Sequence, residues 1–99
     1  MTYQVIIATA ADRQIAAISS WWRANRLAAP DLFDDELHKA IVRLRSFPAT
    51  GSTHRPAAGV RYLLLPVSRY HVYYRLNEDK GRVDVVRVRS ALRGTQPSF

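Results

Sequence analysis

The 99-residue chain contains no cysteine. Disulfide cross-links, thiolate metal sites and cysteine nucleophiles are therefore excluded. It has four glycines, and none falls in a phosphate-cradling loop. No apolar run approaches the ~20 residues of a membrane-spanning helix, and stretches such as "YLLLPV" end after a few residues. The opening "MTYQVIIATAADRQ" lacks the basic start and small-residue cleavage site of a secretory signal, so a cytoplasmic protein with no membrane partner is expected. None of the serines lies in a nucleophile-elbow pattern. His38, His54 and His71 give no spacing for a metal site or a catalytic triad, so no metal and no cofactor are expected.

Acidic side chains are scarce where basic ones are plentiful. The net charge is +7, and residues 61–99 hold eight basic side chains against three acidic ones. Thirteen of the fifteen basic residues are arginine, whose planar guanidinium suits bidentate contacts with carboxylates and phosphates. An acidic partner is the natural inference, set against a merely solubilising basic surface.

What is present reads as one domain over residues 1–99, with 47% hydrophobic residues and room for one two-layer core. Residues 3–8, "YQVIIA", are β-branched and alternating, as in a strand. Ala11, Ile15, Ile18 and Trp22 make an apolar helical stripe within residues 10–25, with Trp21 at its edge and Thr9 and Asp12 spaced like a capping box. Phe33, Leu37, Ala40, Ile41 and Leu44 form a second stripe. Pro30 is placed to open that helix and Pro48 to close it. Residues 48–59 read as an irregular loop, and residues 60–65, 69–76 and 82–88 as three strands. Residues 89–99 lose pattern and are expected to form a loosely ordered tail. The order β–α–α–β–β–β predicts a two-layer α+β fold, a helical hairpin on one face of a mostly antiparallel sheet with the other face free.

The stretch "RYLLLPVSRYHVYYRL" concentrates the puzzle, with four tyrosines, four leucines and three arginines. Alternation sends Tyr70, Val72, Tyr74 and Leu76 toward the helices and Arg69, His71, Tyr73 and Arg75 to the open face. In the preceding strand Arg61, Leu63 and Leu65 oppose Tyr62, Leu64 and Pro66, and both sets are partly apolar, so the phase stays open. In "RVDVVRVR" the alternation breaks at Val85 and Val86, which predicts a bulge or burial on both faces. Arg87 and Arg89 share a face, with Arg93 beyond them. These residues describe an arginine- and tyrosine-rich surface for an acidic or extended ligand. The same residue types also occur on ordinary wet sheet faces, because their stems pack and their tips hydrate.

The element order, "FPATG" after the second helix and "GVRYLLLPVSRYHVYYRL…GRVDVVRVRSALRG" together resemble the RelE/ParE superfamily of bacterial type II toxins. The likeness is strongest to the ParE-like branch. It implies a toxin neutralised by a cognate antitoxin whose acidic C-terminal segment covers its surface in a hetero-oligomer. ParE-like members poison DNA gyrase without hydrolytic chemistry, and direct DNA binding by the toxin alone is not expected. RelE-like members are ribosome-dependent mRNA endonucleases, and the nuclease residues transfer poorly to this chain. Their strand arginine falls at His71, their arginine after the last strand falls near Ala91, and no tyrosine follows Tyr74. The expected function is therefore gyrase inhibition. The alternatives are an mRNA endonuclease using His71, Arg89 and Arg93, or an inactive module that only binds antitoxin. The expected antitoxin contacts are Arg61, Arg69, Tyr73, Arg75, Arg87, Arg89 and Trp21.

Overall fold

The β-branched run QVII forms strand β1 (Gln4–Ile7), and the two predicted apolar stripes form helices α1 (Thr9–Asn25) and α2 (Leu32–Ser46). Strands β2 (Ser52–Thr53), β3 (Val60–Leu65), β4 (Tyr70–Asn77) and β5 (Arg82–Ser90) complete a computed structural model that describes residues 2–92. The strands form one sheet in the order β1-β5-β4-β3-β2. β1 runs parallel to β5, and the other neighbours are antiparallel. The parallel pair is possible because the chain leaves β1 through the helical hairpin before it returns to the sheet.

Both helices lie on one face of the sheet. Ala11 and Trp22 from α1, and Phe33, Leu37, Ala40 and Leu44 from α2, meet Leu65, Val72, Tyr74, Val83, Val85 and Val88 in a single core. Ile15, Ile18 and Ile41 pack against its margin, so both stripes face as their spacing predicts. Burying a side chain such as Phe33, fully enclosed here, contributes about 1.5–3 kcal/mol. Arg23 ties the two helices with a 2.6 Å ion pair to Asp34, which also accepts a hydrogen bond from Ser19 at 3.0 Å. Asp34 and Asp35 in the first turn of α2, with Arg43 and Arg45 in its last, complement the helix dipole at both ends.

Several local expectations need correction. Thr9 does not cap α1; it is the first helical residue, the N-cap is Ala8, and no side chain closes that end. Pro30 lies in the turn before α2, which begins at Leu32. Residues 48–59 are not wholly irregular. Pro48–Thr50 form a 3₁₀ turn and Ser52–Thr53 pair with β3, adding a fifth strand. The Tyr74 hydroxyl holds this segment, donating to the Pro48 carbonyl at 2.6 Å and accepting from the Gly51 N–H at 2.9 Å. A Cβ at residue 51 would stand 2.8 Å from the Tyr62 carbonyl oxygen, which is why the close approach needs glycine. β5 extends to Ser90, so residues 89 and 90 of the expected tail are strand, while residues 93–99 lie outside the described residues.

The bulge is where the broken alternation placed it. Tyr73 faces Arg87 but Tyr74 faces Val85, so Val86 is the extra residue. The slip keeps Val83, Val85 and Val88 all on the helix side. Beyond the end of β1, the outward N–H of Val88 is satisfied by the Gln14 side chain at 2.7 Å.

Candidate binding face

The open sheet face is built by register. Cross-strand partners point the same way, so Arg89, His71 and Leu64 form one row and Arg87, Tyr73 and Tyr62 the next. Arg75 lies between Asp84 and Val60 in a third row. This is the face opposite the helices. Sequence alternation assigned it Arg69, His71, Tyr73 and Arg75 and put Arg87 and Arg89 on one face with each other; the register brings His71, Tyr73, Arg75, Arg87 and Arg89 together.

The face is less free than expected. Residues 54–59 turn back over it, and His54, pinned by its N–H to the Val60 carbonyl at 2.8 Å, is buried. Its ring stands 5.1 Å from Tyr73 and 6.3 Å from Tyr62. Tyr62 in turn lies 4.8 Å from His71, and His71 5.8 Å from Tyr73. The result is an aromatic cluster inside a rim of arginines. Tyr73 is only 6% exposed, which corrects its expected role as a presented side chain. Its hydroxyl sits 3.4 Å from Nδ1 of His71, a long contact. Burial lowers the His71 pKa below its usual value, helped by the charges of Arg69 and His54, so the imidazole is neutral near pH 7. Burial also raises the Tyr73 hydroxyl, assisted by Tyr62 and opposed by Arg89.

The remaining candidate residues lie elsewhere. Register settles the open phase of β3, pairing Arg61 with Tyr74 on the helix side of the sheet. Its guanidinium donates to the Gly51 carbonyl at 3.1 Å and helps fasten the 48–51 segment, so it does not join the arginine face. Arg69 precedes β4 in an exposed turn with φ of 66°, so strand alternation does not govern it. Trp21 lies in the helical layer, 44% exposed, with the Arg26 guanidinium 4.8 Å from its ring centre. It is not on the sheet face, yet it shares a groove with Arg89 at the outer edge of β5. Arg93 is outside the described residues.

Sequence reasoning missed His54 and Tyr62. The signal for His54 was the twelve-residue loop itself, since a structureless loop that long is uncommon in a compact domain. For Tyr62 the pairing register was needed. Among the described residues no group of three His, Asp or Glu side chains is placed to hold a metal ion. No helix among them is long and apolar enough to cross a membrane.

The fold matches solved toxin–antitoxin structures. The chain is similar to a chain titled "Chromosomal ParDE TA system from P. aeruginosa", with a TM-score of 0.69 and 15% identity over 90% of this chain and 96% of that one. The isolated RelE toxin of E. coli matches with a TM-score of 0.59 and 20% identity, covering 93% of this chain and 87% of that one. A chain of the archaeal RelE–RelB complex from Pyrococcus horikoshii matches at 0.61 and 13%, covering 95% and 100%. At these identities the likeness is one of fold. A search of curated proteins finds no match. The sequence itself matches the family model described as the ParE toxin of type II toxin–antitoxin system, parDE, over residues 5–94. The chain belongs to the ParE toxin family of type II toxin–antitoxin systems.

Proposed function

We propose that this toxin acts by binding and inhibiting DNA gyrase in the cytoplasm, and that a cognate antitoxin holds it inactive by covering the arginine face with an acidic segment. The observation that carries the reading is the chemistry of that face. It gathers Arg75, Arg87 and Arg89 around packed rings, while Asp84, its acidic side chain, is engaged by Arg82 at 3.0 Å. Such a surface offers cations and area, which suit recognition of carboxylates on a partner. An antitoxin segment disordered when free would order on contact, its carboxylates pairing with guanidinium groups. The match to the ParE branch supports gyrase as the target.

One feature favours a second reading. A neutral His71 between the Tyr73 hydroxyl and the Arg89 strand position has the group types of a metal-free ribonuclease, a base for the 2′-hydroxyl with positive charge beside it. The two readings separate in one experiment. Purified toxin is added to gyrase supercoiling relaxed plasmid, and in parallel to ribosomes translating a defined mRNA. Blocked supercoiling with intact mRNA is the expected result. Unaffected gyrase with cleaved mRNA would move the chain to the nuclease reading.

A further inference from the structure

The large hydrophobic side chains that the fold leaves exposed are unevenly spread. Of the eight among the described residues, four line a single groove between α2 and the edge of β3. They are Val42, Phe47, Leu64 and Val67, between 41% and 68% exposed. The groove has a volume of about 1320 Å³. An apolar concentration of this kind on an otherwise strongly charged small protein marks a place where something else packs.

The rim and the strand edge narrow what that occupant is. Lys39 and Arg43 project from α2 along one side. The acidic residue of the lining, Glu36, is already engaged, accepting hydrogen bonds from the N–H groups of Val67 at 2.9 Å and Ser68 at 2.7 Å. With two cations against one carboxylate in its lining, the groove presents net positive charge beside its apolar floor. β2 pairs with β3 only at Arg61 and Tyr62. The Val60 carbonyl points away from β4, since it accepts from His54, and strand alternation points the N–H and carbonyl of Leu64 the same way. Leu64 thus offers one backbone donor and one acceptor past the end of β2, and an extended chain is what such an edge accepts.

We propose that this groove is a second antitoxin-docking site, taking an extended segment with two or more large apolar side chains and a nearby carboxylate. The proposal rests on the toxin–antitoxin reading and places the main apolar anchor behind β3, away from the arginine face. Leu64 joins the two surfaces, because its side chain sits across from His71 on the arginine face. One continuous segment can leave the groove at Leu64 and reach Arg87 and Arg89. A second copy of this chain fits poorly, since a molecule of charge +7 would bring its own cations to the Lys39–Arg43 rim.

The test measures the affinity of full-length cognate antitoxin for the wild-type toxin and for Phe47→Asp, Val67→Asp and Arg89→Glu. Circular dichroism melts confirm folding; if Phe47→Asp melts early, the uncharged and milder Phe47→Ser replaces it. The groove variants are expected to weaken binding about 100-fold or more, as for loss of a buried anchor, and Arg89→Glu about 10-fold. Groove variants that bind like wild type while Arg89→Glu weakens binding would overturn the groove and leave the antitoxin reading intact. No binding by the wild type would overturn both. Concentration-dependent self-association of the wild type that Val67→Asp abolishes would assign the groove to a second copy, against the proposal.

Discussion

Tyr73 and Tyr74 are neighbours in one strand, both buried, and point to opposite faces of the sheet. Tyr74 is sealed under the helices, and its hydroxyl closes two short hydrogen bonds to fixed backbone atoms. Tyr73 lies among the rings of His54, Tyr62 and His71, and its hydroxyl stands 3.4 Å from Nδ1 of His71, a long contact. The helix face is therefore closed structure. The opposite face is packed from side chains that keep polar tips and cations at its rim, which lets a partner's groups replace water without disturbing the core. The fold needs the first face, and the second is the one proposed for recognition.

The sharpest way to break this comparison is to damage the closed face. Phe33→Ala removes a fully buried ring that meets Tyr70 edge-on at 5.1 Å and should cost about 3–5 kcal/mol of stability in urea denaturation. A smaller loss would mean the helices are not the main cover of the sheet. Next is the tyrosine pair itself. Tyr74→Phe strands the Gly51 N–H and the Pro48 carbonyl and should cost about 1–3 kcal/mol. Tyr73→Phe should cost less than about 1 kcal/mol, given its long contact. The reverse ranking would contradict the division of labour between the faces.

Titration gives a third, smaller effect on each side. At Glu36 burial opposes the charge, but the hydrogen bonds from Ser68 and Val67 and the charge of Lys39 outweigh it, and the carboxyl titrates below its usual value of 4.5. Its contribution is present above that value and is lost as pH falls through the lower folded pKa. Glu36→Gln should flatten the stability–pH curve there. His71 is also lowered, so the unfolded chain takes up its proton first and stability falls as pH drops below 6.5. His71→Gln should remove that part of the slope, and an unchanged slope would show that the ring is not desolvated. The smallest effect belongs to the rim. Arg89→Glu should change stability by no more than about 0.5 kcal/mol while reducing antitoxin affinity.

Much of this was legible from residue order. The helical stripes and the inward set Tyr70, Val72, Tyr74 and Leu76 follow from single periodicities, and the bulge at Val86 from one broken alternation. That His71 shares a face with Arg75, and Arg87 with Arg89, needed only strand phase; joining the two pairs needed the register between their strands. What was not legible depended on pairing between segments. Arg61 has an apolar neighbour on either side, so only its register opposite Tyr74 assigns it to the helix face. Arg69 falls in a turn whose left-handed backbone no alternation rule describes. His54 reaches Tyr73 because two residues of β2 pair with β3 and swing the following loop over the sheet. Strand signals that short carry no period to read.

The measurement that bears most directly on the account is gyrase supercoiling in the presence of the His71→Ala toxin, run beside the wild type. A binding poison does not use an imidazole to move a proton, so the variant should inhibit supercoiling at the same concentration as the wild type. If neither protein affects supercoiling, and the wild type cleaves mRNA on ribosomes while His71→Ala does not, the open face is an active site and the account is wrong.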